Sequence, residues 1–204
     1  MCRISLCMIV KDEEDTLEKC LSSVQGIPDE IIIVDTGSSD RTKNAARKFT
    51  DRIYDFEWTD DFSTARNESF SKAKGEYVLW LDADDRLLPK DRDRFLELKR
   101  ALDPDVDVYM MKYCMGYDGQ NADFSYYRER LVKRSGNFLW REPVHEYLEA
   151  RGKIVTTDIC VTHAGKKGGA GDRNLKIYEK LLSGGKKLSP RGLYYYGREL
   201  RDNG

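Results

Sequence analysis

Short apolar runs alternate with polar, helix-periodic segments over the first hundred positions. Ile4 to Val10 is a continuous apolar run closed by Lys11-Asp12-Glu13-Glu14, the pattern of a buried strand. From Asp12 to Val24, the apolar positions Leu17, Cys20, Leu21 and Val24 recur at helical spacing. Acids occupy the first turn, and Gly26 and Pro28 end the segment. Glu30 to Val34 predicts a second buried strand. A polar loop follows from Asp35 to Asp40, in which Ser38 and Ser39 are placed to cap a helix from about Arg41 to Lys48. Arg52 to Phe56 predicts a third strand, Phe62 to Ala73 a helix, and Glu76 to Leu81 a fourth strand running straight into Asp82, Asp84 and Asp85. This order predicts an α/β, Rossmann-like fold: a mostly parallel sheet flanked by helices. Such sheets bind ligands at the carboxyl ends of their strands. Three polar clusters fall there: 11–14, 35–40 and 82–85.

In the second half, 106–113 and 124–132 predict strands joined by a turn at 117–121. The segment 137–148 carries Trp140, Glu142, Pro143, His145 and Glu146, and 154–163 predicts a last strand. Gly165 to Gly171 is a Gly/Lys-rich hinge. Beyond it, 175–182 and a stretch from Ser189-Pro190 through Leu200 predict helices. From residue 165 onward, ten Lys/Arg stand against four Asp/Glu. That basic shift places a boundary near 165, giving a domain over 1–165 and a short C-terminal helical extension over 166–204. The absence of a stop signal at Asn203-Gly204 suggests the start of a longer helical region.

The overall charge narrows the function. Lys+Arg (35) and Asp+Glu (36) nearly cancel, which argues against a dedicated nucleic-acid binder. No apolar run nears the roughly 20 residues of a membrane span, and the first apolar segment lacks the features of a signal peptide. The five cysteines (Cys2, Cys7, Cys20, Cys114, Cys160) are scattered, odd in number and without a CxxC. Free thiols in a reducing cytoplasm are therefore expected.

Chemistry is concentrated after the fourth strand. In an extended segment, alternate side chains share a face, so Asp82 and Asp84 can point the same way. Two carboxylates at a strand end suit Mg²⁺ or Mn²⁺ and leave positions for phosphate oxygens; a solvated acidic turn fits the spacing equally well. Leu87 stands where a calcium loop needs Gly, which excludes an EF-hand. Asp35 can accept hydrogen bonds from a base or ribose, or simply close a turn. No Gly-rich phosphate loop is present, so phosphates need a metal and cations, with Arg66 and Lys11 as candidates. His145 and His163 are the only histidines. Each can serve as metal ligand, base or structural residue. Glu142 and Glu146 flank His145, and a carboxylate set against a nucleophile can take its proton as it attacks.

The segments 5–14, 30–42, 61–67 and 75–85 together resemble glycosyltransferase family 2, inverting enzymes of the GT-A fold. Val144-His145-Glu146 and Leu193 to Leu200 resemble the bacterial subgroup in which tetratricopeptide-like repeats follow the transferase domain, related to peptide S-glycosyltransferases. The resemblance implies a metal-dependent transfer from a nucleotide sugar, a UDP-sugar first, to a peptide, protein or glycan. It implies that Ile9, Val10 and Lys11 line the base pocket with Glu13 beside them, that Asp35 contacts the base, and that Arg66 holds the diphosphate. Asp82, Ala83 and Asp84 form the DxD. Asp84 leads as the metal contact and His163 supports it. The family's late Glu-Asp pair is missing, so Glu146, Glu142 or His145 would activate the acceptor, with Glu146 preferred. Two alternatives stay open: a nucleotide-sugar-binding module without transfer, and, ranked behind it, a sugar nucleotidyltransferase. A homo-oligomer also stays open.

Overall fold

The computed structural model describes residues 4–117, 122–165 and 171–204. Cys2, most of the expected 117–121 turn and most of the Gly/Lys hinge lie outside the described residues. The chain runs β1 (Ile4–Val10), α1 (Leu17–Ser23), β2 (Glu30–Asp35), α2 (Thr42–Ala46), β3 (Ile53–Asp55), α3 (Phe62–Ser71), β4 (Tyr77–Trp80), β5 (Asp85–Leu87) and α4 (Pro89–Arg100). It continues with β6 (Val108–Tyr117), β7 (Ala122–Lys133), β8 (Trp140–Arg141), β9 (Tyr147–Leu148), β10 (Ile154–His163), α5 (Arg173–Ser183) and α6 (Pro190–Asn203).

Among the described residues, eight strands form one sheet in the order β3-β2-β1-β4-β7-β6-β10-β5. β1 pairs in parallel with β2 and β4, β2 with β3, and β6 with β10, whereas β7 and β5 oppose their neighbours. The expected mostly parallel α/β sheet is therefore present, with two reversed strands on the β4 side. Alternation along β1 explains its continuous apolar run. Ile4, Leu6, Met8 and Val10 enter the core shared with Leu17, Leu21 and Phe95, while Cys7 joins Trp80 and Trp140 on the other face. Both faces are covered, so no polar alternation survives.

Four elements have no counterpart in the sequence reading: α4, β5 and the short pair β8–β9. α4 turns Asp91, Phe95 and Lys99 inward, so its buried stripe is two-thirds charged. Asp91 accepts from the Cys160 amide at 2.9 Å, and Lys99 reaches Asp29 at 2.9 Å. The short β5 forms only because β10 lies beside it. The expectation of free thiols needs one correction: Cys114 and Cys160 are joined as a disulfide. Neighbouring strands β6 and β10 bring their Cα atoms to 6.2 Å across a separation of 46 residues, a proximity that spacing along the chain does not reveal. Cys7 and Cys20 are free and buried.

The helical pair α5–α6 packs through a small core of its own. Ile177, Tyr178, Leu181, Leu188, Tyr195 and Tyr196 close on Val144, Trp58 and Phe62. Ser189 caps α6 by accepting from the Gly192 amide at 2.9 Å, with Pro190 at the first helical position. Among the described residues, no helix is long and apolar enough to cross a membrane.

Candidate functional site

The carboxyl ends of β1 and β4 open into a cavity of about 420 Å³. Eleven of the thirteen residues singled out from the sequence line it: Ile9, Val10, Lys11, Glu13, Arg66, Asp82, Ala83, Asp84, His145, Glu146 and His163. The other two do not. Glu142 points to the start of α6, where its carboxylate accepts from the Ser189 hydroxyl at 2.6 Å. Asp35 is fully buried behind Thr36. Its Oδ1 accepts from the amides of Gly37 and Ser38, and its Oδ2 has no partner.

A tight turn presents the acidic pair. The Asp85 amide donates to the Asp82 carbonyl, and the Asp82 amide donates to Asp85 Oδ2, both at 3.0 Å. Asp85 is locked in place by Arg130, at 2.8 Å; neither side chain has any exposure. Arg130 also lies 3.8 Å from the Trp80 ring centroid and 4.6 Å from that of Tyr113. Burial pushes the Asp85 carboxyl up to about 6 in spite of this guanidinium. The antiparallel pairing of β10 with β5 sets His163 opposite Asp85 and brings its Nδ1 to 3.6 Å from Asp84 Oδ2. The Tyr113 hydroxyl and His163 Nδ1 share a hydrogen bond of 3.0 Å. Burial, and after it the like charge of Asp82, push the Asp84 carboxyl up against the pull of His163.

Asp84, Asp85 and His163 thus converge as a candidate metal cluster. Asp85 is the member that sequence reading left out. Gly165 supplies space beside the other two members: a Cβ there would lie 2.3 Å from Asp84 Oδ2 and 2.9 Å from His163 Nε2. Carboxylate oxygens and one imidazole, fronted by a space that only glycine leaves open, fit a hard divalent cation such as Mn²⁺.

Asp82 faces a different partner. Arg66 on α3 donates from Nη2 to Asp82 at 2.8 Å and from Nε to Glu146 at 2.7 Å. Its guanidinium lies 5.1 and 4.8 Å from the ring centroids of Trp80 and Trp140. Burial opposes the Arg66 charge, but the two carboxylates hold it firmly protonated. Burial likewise opposes ionisation of Asp82, and the guanidiniums of Arg66 and Arg130 overcome it, holding the carboxyl down at about 2. Arg66 therefore joins the two acidic arms of the site.

Sequence reading missed the remaining walls. Thr36, Phe62, Trp80, Tyr113 and Arg128 line the cavity, as do Arg173 and Asn174 from α5. The Arg- and Tyr-rich composition of β7 was the only hint of Arg128. Nothing local marked Arg173 or Asn174, because α5 reaches the cavity through tertiary packing.

This architecture is that of GT-A proteins. The model superposes on Staphylococcus aureus TarS in complex with UDP-GlcNAc with a TM-score of 0.59, at 14% identity, covering 97% of this chain and 69% of that one. It superposes on glucosyl-3-phosphoglycerate synthase from Mycobacterium tuberculosis, in complex with Mn²⁺, UDP-Glc and phosphoglyceric acid, with a TM-score of 0.61 at 15% identity, covering 92% and 82%. The model of glycosyl transferase family 2 matches residues 5–166, and the chain belongs to that family. It is 36% identical over 151 residues to a TPR repeat-containing protein of Synechococcus elongatus, covering 73% of this chain and 36% of that protein. It is 28% identical over 206 residues to the SPbeta prophage-derived glycosyltransferase SunS of Bacillus subtilis, covering 95% and 48%. The chain thus spans half or less of the length of these curated relatives.

Proposed function

We propose that this chain carries the donor site and transfer chemistry of a metal-dependent, inverting glycosyltransferase that uses a UDP-sugar. The observation that carries the reading is Asp84 and His163 meeting at the strand ends, next to the Asp82–Arg66–Glu146 chain. In this reading, Asp84 and His163 would hold Mn²⁺ or Mg²⁺, with Asp82 beside them. A bound divalent ion would offset charge developing on the leaving diphosphate.

The chain's own groups do the rest. Ile9 and Val10 form the floor for the nucleoside. The unpartnered Asp35 Oδ2 is an acceptor for an N–H of the base, provided that the 35–38 loop opens. Arg66 is committed to two carboxylates, which leaves Lys11, Arg128 and Arg173 as the cations lining the cavity for phosphate oxygens. Glu146 faces the cavity with its Oε1 held by Arg66. It takes the proton of the acceptor as the acceptor's lone pair attacks the anomeric carbon and the C–O bond to the diphosphate breaks. Glu142, bonded to Ser189 away from the cavity, is not placed for this. The acceptor belongs to the peptide, protein or glycan class.

We place 1–165 as the transferase domain and 166–204 as the first helix pair of a tetratricopeptide-like region. The Synechococcus relative is a TPR repeat-containing protein, which supports that reading.

Thermal unfolding with UDP-, GDP- and dTDP-sugars, each with and without Mn²⁺, tests the donor site. A ligand at a hundred times its dissociation constant adds about 2.7 kcal/mol, or roughly 5–10 °C for a chain of this size. A Mn²⁺-dependent rise with UDP-sugars is expected; no rise with any of the three overturns the reading.

A further inference from the structure

The loop that carries Glu146 holds two residues in the left-handed region, Glu142 at φ 72° and His145 at φ 52°. Neither is glycine, so each conformation costs free energy and persists only if its surroundings fix it. In both cases the fixing contacts come from α6 or its cap. The Ser189 hydroxyl donates to Glu142 at 2.6 Å. His145 is gripped on three sides. Its Nε2 bonds Glu199 Oε1 at 2.6 Å, its carbonyl accepts from Arg191 at 3.1 Å, and its ring stacks on Tyr195 with centroids 4.2 Å apart. Glu199 is itself steadied by Asn174, which donates to the same oxygen at 3.1 Å from a residue that lines the cavity.

From this we propose that Glu199 of α6 is a positioning residue for acceptor activation. Glu199 sets the His145 ring, the ring fixes the strained turn, and the turn aims Glu146 at Arg66. The inference rests on the transfer reading above but adds to it. The helical pair completes the catalytic geometry; it is more than an appendage. Glu199 does not line the cavity. Its loss is therefore predicted to slow turnover without weakening donor binding.

The test compares the whole chain with Glu199→Ala and Glu199→Gln. Hydrogen exchange across 141–148 is measured together with the imidazole N–H resonance of His145. With only two histidines in the chain, a His163→Gln spectrum assigns that signal. The third readout is UDP release from UDP-Glc and UDP-GlcNAc with Mn²⁺. Glu199→Ala is expected to speed exchange at 141–148 while leaving β1 and β4 protected, and to lose the slowly exchanging N–H. It is expected to lower kcat by about tenfold or more, less than the roughly 10²–10⁴-fold of losing a general base outright, with KM for the donor unchanged. Glu199→Gln keeps an acceptor oxygen and is expected to recover most of each loss. Unchanged exchange and an unchanged N–H in Glu199→Ala overturn the clasp. Altered exchange with undiminished UDP release, or equal losses in KM and kcat, overturn its positioning role. Absence of UDP release by the unmodified chain overturns the transfer reading instead, while exchange and the N–H signal still judge the clasp.

Discussion

Replacing Arg130 by Met probes how the acidic turn is held. Arg130 and Asp85 are both without solvent exposure and meet at 2.8 Å. Arg130 also donates to the Trp80 carbonyl at 3.3 Å and packs against the Trp80 and Tyr113 rings. Methionine keeps much of the stem's volume and removes the charge, which leaves the Asp85 carboxylate buried and unpaired. Breaking a buried pair from one side costs about 3–5 kcal/mol. For a chain of about 200 residues, that corresponds to a fall in Tm of roughly 6–20 °C. The companion variants separate charge from packing. Asp85→Asn alone strands the guanidinium, whereas Arg130→Met with Asp85→Asn removes both charges and should recover at least half of the single-variant loss, since a neutral replacement of a buried pair is often close to neutral. The assay is urea unfolding followed by Trp fluorescence, with the four proteins forming a double-mutant cycle. A cost below about 1 kcal/mol for Arg130→Met, or strictly additive losses in the double variant, refutes the argument that the pair is mutually compensated.

Three further outcomes follow from the same contacts. Asp84→Ala should abolish the Mn²⁺-dependent thermal shift with UDP-sugars and leave the far-UV circular dichroism unchanged; a persisting shift would remove Asp84 from the metal site. Gly165→Ala places a Cβ 2.3 Å from Asp84 Oδ2 and should weaken Mn²⁺ binding in calorimetry by at least tenfold; wild-type affinity would show that the space beside Asp84 is not used. Glu30 concerns stability alone. Burial works against its charge, yet Ser5, the Lys74 and Gly75 amides and Arg52 hold its carboxyl below the ordinary value. A lowered folded value stabilises above the unfolded pKa of about 4.3 and is lost as pH falls through the folded one. Glu30→Gln should therefore be most destabilised near pH 7, and its deficit should shrink below about pH 4. A deficit independent of pH would show that packing is responsible instead of charge.

The parts of the fold legible in the sequence were those whose burial is apolar. β1, β2 and β4 announce themselves because both faces of the sheet are covered, and β10 was read with its observed ends. α4 was not read, because two of its three inward positions are Asp91 and Lys99, satisfied by partners far along the chain. The antiparallel insertion of β7 between β4 and β6 leaves no local trace either. At the site, a strand running into Asp82-Ala83-Asp84 was enough to locate the cavity, and most of the residues singled out line it. Which groups speak to one another was a tertiary matter. Arg66 turned out to bridge Asp82 and Glu146, separated from it by 16 and 80 positions. Glu142 was drawn away by a cap that forms 47 residues later.

The pairing of β5 with β10 carries a consequence for the order in which the chain acquires its competence. β5 is three residues long and lies at the sheet edge, supported by a strand that ends at His163. On the ribosome, the first four strands and α1 to α3, which form half of the eight-stranded sheet, emerge well before that strand exists. Closing a loop of nearly eighty residues is entropically modest but comes late. The nascent chain therefore passes through a period in which its sheet is assembling while Asp84 still has no imidazole beside it. On this topology, the proposed cation site would be among the last features the domain completes during synthesis.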